Sequence, residues 1–286
     1  MPAQEKRMYT DVDFLTSLRP YRNFSNTGSL AKVVDYINDE FQKAGHETEE
    51  QKWIAAGTEY TNVIASYNKH KTKRLIIGAH YDVCGNQPGA DDNASAVAGL
   101  LETARLISER APDLDYRIDF VAYCLEEPPF FATNEMGSYV HAKSLFDNNV
   151  DVIGMICYEM IGYFSDTPNS QTYPSPELAK LYPGTANFIV VVGIENFAAF
   201  NQQVYNKMKE VGEIDVQVID FPNGNGLAGL SDQRNYWKFG YNALMINDTS
   251  FIRNPNYHQP SDTIDTLDFP KMIAVINCCY NAIINF

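Results

Sequence analysis

Two spacings of apolar positions alternate along the chain. The run Leu75-Ile76-Ile77-Gly78-Ala79 is continuous and short, as expected of a buried strand. After a Gly/Pro/Asn loop, Val97, Leu100, Leu101, Ala104 and Ile107 follow at helical spacing and form one stripe. An earlier stripe, Val33, Val34, Ile37 and Phe41, predicts a helix over 27–44, with Thr27-Gly28-Ser29 at its start and Gly45 as its stop. Strands are expected at 49–54, 60–67, 117–125, 151–158, 187–193, 215–219 and 243–247. Further helices are expected at 11–18, 133–146, 195–211, 231–239 and 269–284. The basic stretch 69–74 reads as a hairpin-type turn into the Leu75 strand. What remains is loop: 164–184, rich in Pro, Ser and Tyr, 222–229, rich in Gly and Asn, and 248–262.

Strands and helices alternate, which places the chain in the α/β class, with an early hairpin making its sheet mixed. The 286 residues carry no linker-like Pro/Gly tract, repeat or low-complexity segment, so they read as one domain, 1–286. A hydrophobic share of 45% with 20% charged residues is ordinary globular composition. The formal net charge of -14 argues against nucleic acid, whose phosphates need Lys and Arg, and suits amine-bearing ligands. The five cysteines, Cys84, Cys124, Cys157, Cys278 and Cys279, form no CxxC pair. Cys124 and Cys157 lie in apolar runs and read as buried free thiols. The N-terminus lacks the apolar core of a signal peptide and no run is long enough to span a membrane. As written, the sequence reads as a soluble, cytoplasmic chain with no membrane partner, or as the mature form of an exported one.

The residues that carry chemistry sit where strands end. His80-Tyr81-Asp82 and Asp91-Asp92-Asn93 lie between the Leu75 strand and the next helix, the crevice where open α/β sheets bind ligands. Imidazole and carboxylate are the usual zinc ligands. Asp82 is placed to hold the second nitrogen of His80, and Asp92 has two oxygens with which to bridge two metals. The plain alternative for this stretch alone is a surface loop in which Asp92 or Asn93 caps the helix. Glu126-Glu127-Pro128-Pro129 closes the 117–125 strand, Glu159 closes 151–158, and Tyr257-His258 follows 243–247. His80, Asp92, Glu127, Glu159 and His258 thus gather on one rim. Together they suit two zinc ions about 3.5–4 Å apart, able to clamp a carbonyl and generate hydroxide. Asp92 bridges, Glu127 and His258 complete one site, and His80 and Glu159 the other. Glu126, not needed as a ligand, is the natural general base, and Tyr257 a donor to a tetrahedral oxyanion. His46, His70 and His141 are read as structural.

These motifs resemble those of the family-28 metallopeptidases, the co-catalytic di-zinc aminopeptidases related to bacterial leucyl aminopeptidase and to glutamate carboxypeptidase. The match runs in family order from about Asn62 to the C-terminus, through His80-Tyr81-Asp82, Gly89-Ala90-Asp91-Asp92-Asn93-Ala94-Ser95, Glu126-Glu127, Ser231-Asp232 and Tyr257-His258-Gln259-Pro260-Ser261-Asp262-Thr263. The resemblance implies the zinc-exopeptidase fold, a mixed, mostly parallel central sheet flanked by helices. It implies the ligand assignment above, with Asp82 behind the ligands and a strained peptide at Asp92-Asn93. It also implies hydrolysis of the N-terminal bond of peptides with a free N-terminus. Two positions depart from the family: Glu159 stands where Asp is usual, and Gln233 follows Ser231-Asp232 where His is common. The same fold hosts single-zinc glutaminyl cyclases, which act on N-terminal Gln, and metal-free binding domains. The intact Asp91-Asp92-Asn93 run and the retained second-site ligands argue against a cyclase. The full ligand set with Glu126 argues against a non-catalytic domain. The substrate pocket is expected from 164–184, 222–229 and 248–256.

Overall fold

The computed structural model describes residues 3–286. In chain order the elements are α1 (Ala3–Ser17), α2 (Thr27–Lys43), β1 (Glu47–Ala55), β2 (Thr58–Tyr67), β3 (Arg74–His80), α3 (Ala96–Arg110), β4 (Arg117–Tyr123), α4 (Gly137–Asp147), β5 (Val152–Glu159), α5 (Pro176–Leu181), β6 (Phe188–Ile194), α6 (Ala198–Lys209), β7 (Asp215–Phe221), α7 (Gln233–Trp237), β8 (Ala243–Asn247) and α8 (Phe269–Ile283). The strands form one eight-stranded sheet in the order β1-β2-β4-β3-β5-β8-β6-β7. The pairs β3–β4, β3–β5, β5–β8 and β6–β7 are parallel, while β1–β2, β2–β4 and β6–β8 are antiparallel. The sheet is therefore mixed and mostly parallel, as expected.

Alternation along the central strands explains why they read as unbroken apolar runs. Ile118, Phe120 and Ala122 of β4 join one core with α1, α2, α3, α6 and α8, while Val121 and Tyr123 join a second core with Ala142 and Leu145 of α4 and Tyr236 of α7. Both faces are buried, so no position needs to be polar. The chain leaves β3 toward β4 on one side and later returns to place β5 on the other. The carboxyl end of β3 is thus a switch point of the sheet, open to a ligand.

Several expected boundaries move. Helix α1 starts well before residue 11, because Met8, Val12 and Leu15 share one buried face and Arg7 reaches the buried Glu102 of α3. Helix α4 starts at Gly137 rather than near 133, since the Gly137 N–H is held by the Cys124 carbonyl at 2.8 Å. The 195–211 helix opens with a 3-10 turn, Glu195–Phe197. The 231–239 helix shrinks to α7. The stretch 69–74 is not a hairpin, because β4 lies between β2 and β3. The long 164–184 loop holds the short helix α5, with the Ser175 hydroxyl accepting the Leu178 N–H and a proline opening the first turn. No helix among the described residues is long and apolar enough to cross a membrane.

Candidate metal centre

The carboxyl ends of β3, β4, β5 and the loop after β8 deliver the expected ligands to one place. Asp92 stands between two histidines. Its Oδ2 lies 3.0 Å from His258 Nε2, and its Oδ1 lies 3.5 Å from His80 Nε2. Glu127 Oε2 is 3.4 Å from His258 Nε2, and Glu159 Oε2 is 3.2 Å from His80 Nε2. Glu126 Oε2 sits 3.8 Å from His80 Nε2. Two half-sites result, one of His258 and Glu127, one of His80 and Glu159, each facing a different oxygen of Asp92. His80, Asp92 and Glu127 offer ligand atoms within 4.8 Å of one another, and so do Cys84, Glu127 and His258.

The cluster carries more negative charge than protein partners neutralise. Oε1 of Glu126, Oε1 of Glu127 and both carboxylate oxygens of Asp232 are buried with no hydrogen bond. His258 Nε2 is likewise unpartnered, close to Asp92 but poorly aligned with it. Burial opposes protonation of His258, yet the Asp92 and Glu127 carboxylates outweigh it and push the imidazole up to about 10. Burial and the neighbouring Asp92 charge push Glu127 up to about 7, with His258 pulling the other way. Burial raises Glu126 well above the carboxylate range; His80 opposes this, and Glu127 and Glu159 add to it. Asp92 moves the other way: burial alone would raise it, but His258 and His80 hold it far below its ordinary value. Buried acids without partners are costly unless a cation joins them. Two imidazoles, three carboxylates and these orphaned atoms are a donor set that fits zinc.

Residues 62–283 match peptidase family M28. The chain belongs to that family. Among curated proteins, the uncharacterized protein YfbL of Escherichia coli is 39% identical to it over 96% of this chain and 86% of the other. Leucine aminopeptidase 1 of Ajellomyces dermatitidis is 25% identical over 74% of this chain, which spans about half of that relative, 52%. Among solved structures, glutaminyl cyclase from Bacteroides thetaiotaomicron bound to N-acetylhistamine superposes with a TM-score of 0.76, covering 99% of this chain and 98% of that one at 21% identity. That likeness establishes the shared fold.

In this M28 chain the candidate ligands are held by a backbone of buried polar contacts that the sequence only partly disclosed. Asp82 lies against His80 Nδ1, as expected, and does more. Its carboxylate accepts the N–H groups of Glu126 at 3.2 Å and Glu127 at 3.1 Å, tying the β3 and β4 ends together. His80 Nδ1 meets the Asp82 carbonyl at 3.2 Å and lies 3.5 Å from its carboxylate. The helix-cap alternative fails: α3 begins at Ala96 with no side-chain cap, and Asn93 instead accepts the Met160 N–H at 2.9 Å and reaches Glu159 Oε2 at 3.3 Å. The Asp92–Asn93 peptide is cis. Asp262 of the Tyr257-to-Thr263 motif accepts the N–H groups of Asp91 at 2.9 Å and Asp92 at 3.1 Å. Glu159, the departure from the family pattern, is anchored by the Ser231 hydroxyl at 2.7 Å.

Arg22 was not singled out by sequence reasoning. It lies outside the matched region, is fully buried, and donates to the carbonyls of Tyr81 at 2.8 Å, Leu15 at 3.1 Å and Gly89 at 2.6 Å, and to that of Pro88. It braces the whole loop from Tyr81 to Gly89. Burial lowers its guanidinium to about 10, against the charges of Asp262, Asp92 and Asp82. Gly89 itself has φ 60°, and a Cβ there would collide with the Asp92 carbonyl. A lone Arg followed by Asn and Phe leaves no pattern from which this role could be read.

Beside Glu159 and Tyr257 opens a mainly apolar cleft of about 820 Å³, its solvent mouth included. Tyr173, Leu178 and Tyr182 come from the first expected loop, Leu227 from the second, and Thr249 to Ile252 from the third. Its floor was missed: Phe188, Val190 and Val192 of β6, Ile219 and Phe221 of β7, and Met245 of β8. Tyr257 stacks on His258 with ring centroids 3.8 Å apart. Gln233 does not line the cleft; it donates to the Ala228 carbonyl at 2.8 Å, steadying the loop that carries Leu227. His46 and His141 are buried and hydrogen-bonded in the cores, as their structural reading requires.

Proposed function

We propose that this chain is an aminopeptidase that binds two zinc ions and hydrolyses the N-terminal bond of peptides with a free amino group. One observation carries the reading: the two oxygens of Asp92 face two separate imidazoles, at 3.0 Å and 3.5 Å, each backed by its own glutamate. His258 and Glu127 would hold one ion, His80 and Glu159 the other, and Asp92 both. Zinc at these residues supplies Lewis acidity toward the scissile carbonyl and acidifies the attacking water.

The chain's own groups do the rest. Glu126 carries a buried oxygen with no partner and a pKa raised chiefly by burial, properties that suit a general base. It takes the proton from the attacking water and returns it to the leaving amine. Tyr257 keeps its proton, because burial and then the Asp92 and Glu127 charges raise its pKa, and it donates to the developing oxyanion. The cleft floored by Val190, Val192 and Met245 receives the side chain of the N-terminal residue and favours a large apolar one.

Aminoacyl amides with a free amino group are expected to be cleaved and their N-acetylated counterparts left intact. Elemental analysis under zinc-replete conditions is expected to find two zinc ions per chain. Turnover of both substrate types, or one zinc together with cyclisation of an N-terminal Gln peptide, would overturn the proposal, the latter in favour of a cyclase.

A further inference from the structure

We propose that Cys84 is an additional metal ligand, a thiolate at the half-site formed by His258 and Glu127. The inference rests on the metal-centre reading above and adds a donor that the family resemblance does not supply. The Cys84 thiol, a carboxylate oxygen of Glu127 and a ring nitrogen of His258 all lie within 4.8 Å of one another. A zinc ion about 2.0–2.3 Å from each of three such atoms brings them to within roughly 3.5 Å, a contraction that side-chain rotations can supply. The Glu127 side chain shows that a cation belongs at this half-site. It is 4% exposed, and its Oε1 is buried with no hydrogen-bond partner. Cys84 approaches from the solvent side: it is half-buried, whereas Cys124, Cys157, Cys278 and Cys279 are buried.

Binding is a simple exchange. The thiol loses its proton to solvent as the sulfur–metal bond forms, with no change of oxidation state. A soft thiolate changes what the site prefers. Carboxylates accept manganese or magnesium readily, whereas sulfur shifts the preference toward softer metals such as zinc. The two half-sites are then unlike: His80 and Glu159 offer only nitrogen and oxygen, while His258, Glu127 and Cys84 include sulfur.

The test compares the full chain with its Cys84→Ser variant, both loaded with cobalt(II). The parent is expected to show a near-ultraviolet sulfur-to-cobalt charge-transfer band, and the variant to lack it while keeping its visible cobalt bands. Zinc competition against a chromogenic chelator should show one of the two ions bound at least about tenfold more weakly in the variant. In the parent, the single thiol that reacts readily with a disulfide reagent in metal-free protein should be protected by stoichiometric zinc. Identical near-ultraviolet spectra for parent and variant, or a Cys84 that reacts equally fast with and without zinc, would overturn the ligand assignment. If two metals still bind in that case, the metallopeptidase reading survives. If neither protein binds any metal, both proposals fall.

Discussion

Glu126 and Glu127 are neighbours in the chain and are assigned different work. Asp82 takes the N–H groups of both, so their backbone positions are fixed together and only their side chains diverge. Glu127 turns to His258 at 3.4 Å, whereas Glu126 stays 3.8 Å from His80 with one oxygen free. Glu126→Gln is nearly isosteric and leaves every ligand in place. It is expected to retain both metals while kcat falls by about 10²–10⁴, the usual worth of a positioned proton transfer. Glu127→Gln removes a charged ligand, so metal content should fall along with the rate. Zinc content and kcat measured on both variants decide the assignment; a Glu126→Gln enzyme within about threefold of the parent kcat would refute the base role. At this scale the sequence was most informative. The side chains of His80, Asp92, Glu127, Glu159 and His258 all meet, because strand ends in a parallel sheet converge on one rim. Asp82 was legible as a support but not in its actual bonds, since neither its direction nor its partners follow from spacing.

Among the elements, every strand was read close to its bounds, while the helix starts and the short helix α5 were not. Strands β3, β4 and β6 are buried on both faces and show it in composition alone. The bounds of α7 and the first turns of α1 and α4 depend on contacts far away in the chain, such as Arg7 with Glu102, and so escaped local patterning. The cleft is a property of element order. On the α4 and α7 face, the cover stops short of β6 and β7. Loops and the short helix α5 close that end instead, leaving Val190, Val192, Ile219 and Met245 as a floor. Val190→Phe fills that floor at a buried position. It is expected to lower kcat/KM for a leucyl amide relative to an alanyl amide by about tenfold or more, since one methylene in such a pocket is worth ~1–3 kcal/mol. Metal content should be unchanged. An unaltered ratio would mean that the N-terminal side chain binds elsewhere.

For the molecule as a whole, acid sensitivity has one tractable source away from the metals. His141 of α4 is buried, and its Nδ1 is hydrogen-bonded to the Tyr236 hydroxyl at 2.6 Å, while Tyr236 also meets Tyr123 of β4 at 2.6 Å. Burial lowers the imidazole to about 4 in the folded chain, against about 6.5 when unfolded. As pH falls, the unfolded chain takes up this proton first. The stabilisation is therefore complete above about pH 6.5 and is lost as pH falls toward about 4, a contribution of about 3 kcal/mol. His141→Asn can still hydrogen-bond Tyr236 but cannot titrate. Urea unfolding at pH 7 and pH 4, with metal chelated in both proteins, should show the parent losing about 3 kcal/mol more than the variant. Equal losses would show that His141 is not the source. The sequence by itself determined the α/β class, the long elements and the candidate residues of the metal centre, because periodicity and residue chemistry are local. Only the tertiary structure decided the strand order that makes β3 the switch point, the Arg22 and Asp262 contacts behind the ligands, the cleft floor on β6, β7 and β8, and the approach of Cys84 to His258. Each of these joins residues far apart in the chain, and no local pattern encodes which distant segment a strand edge or a buried charge will meet.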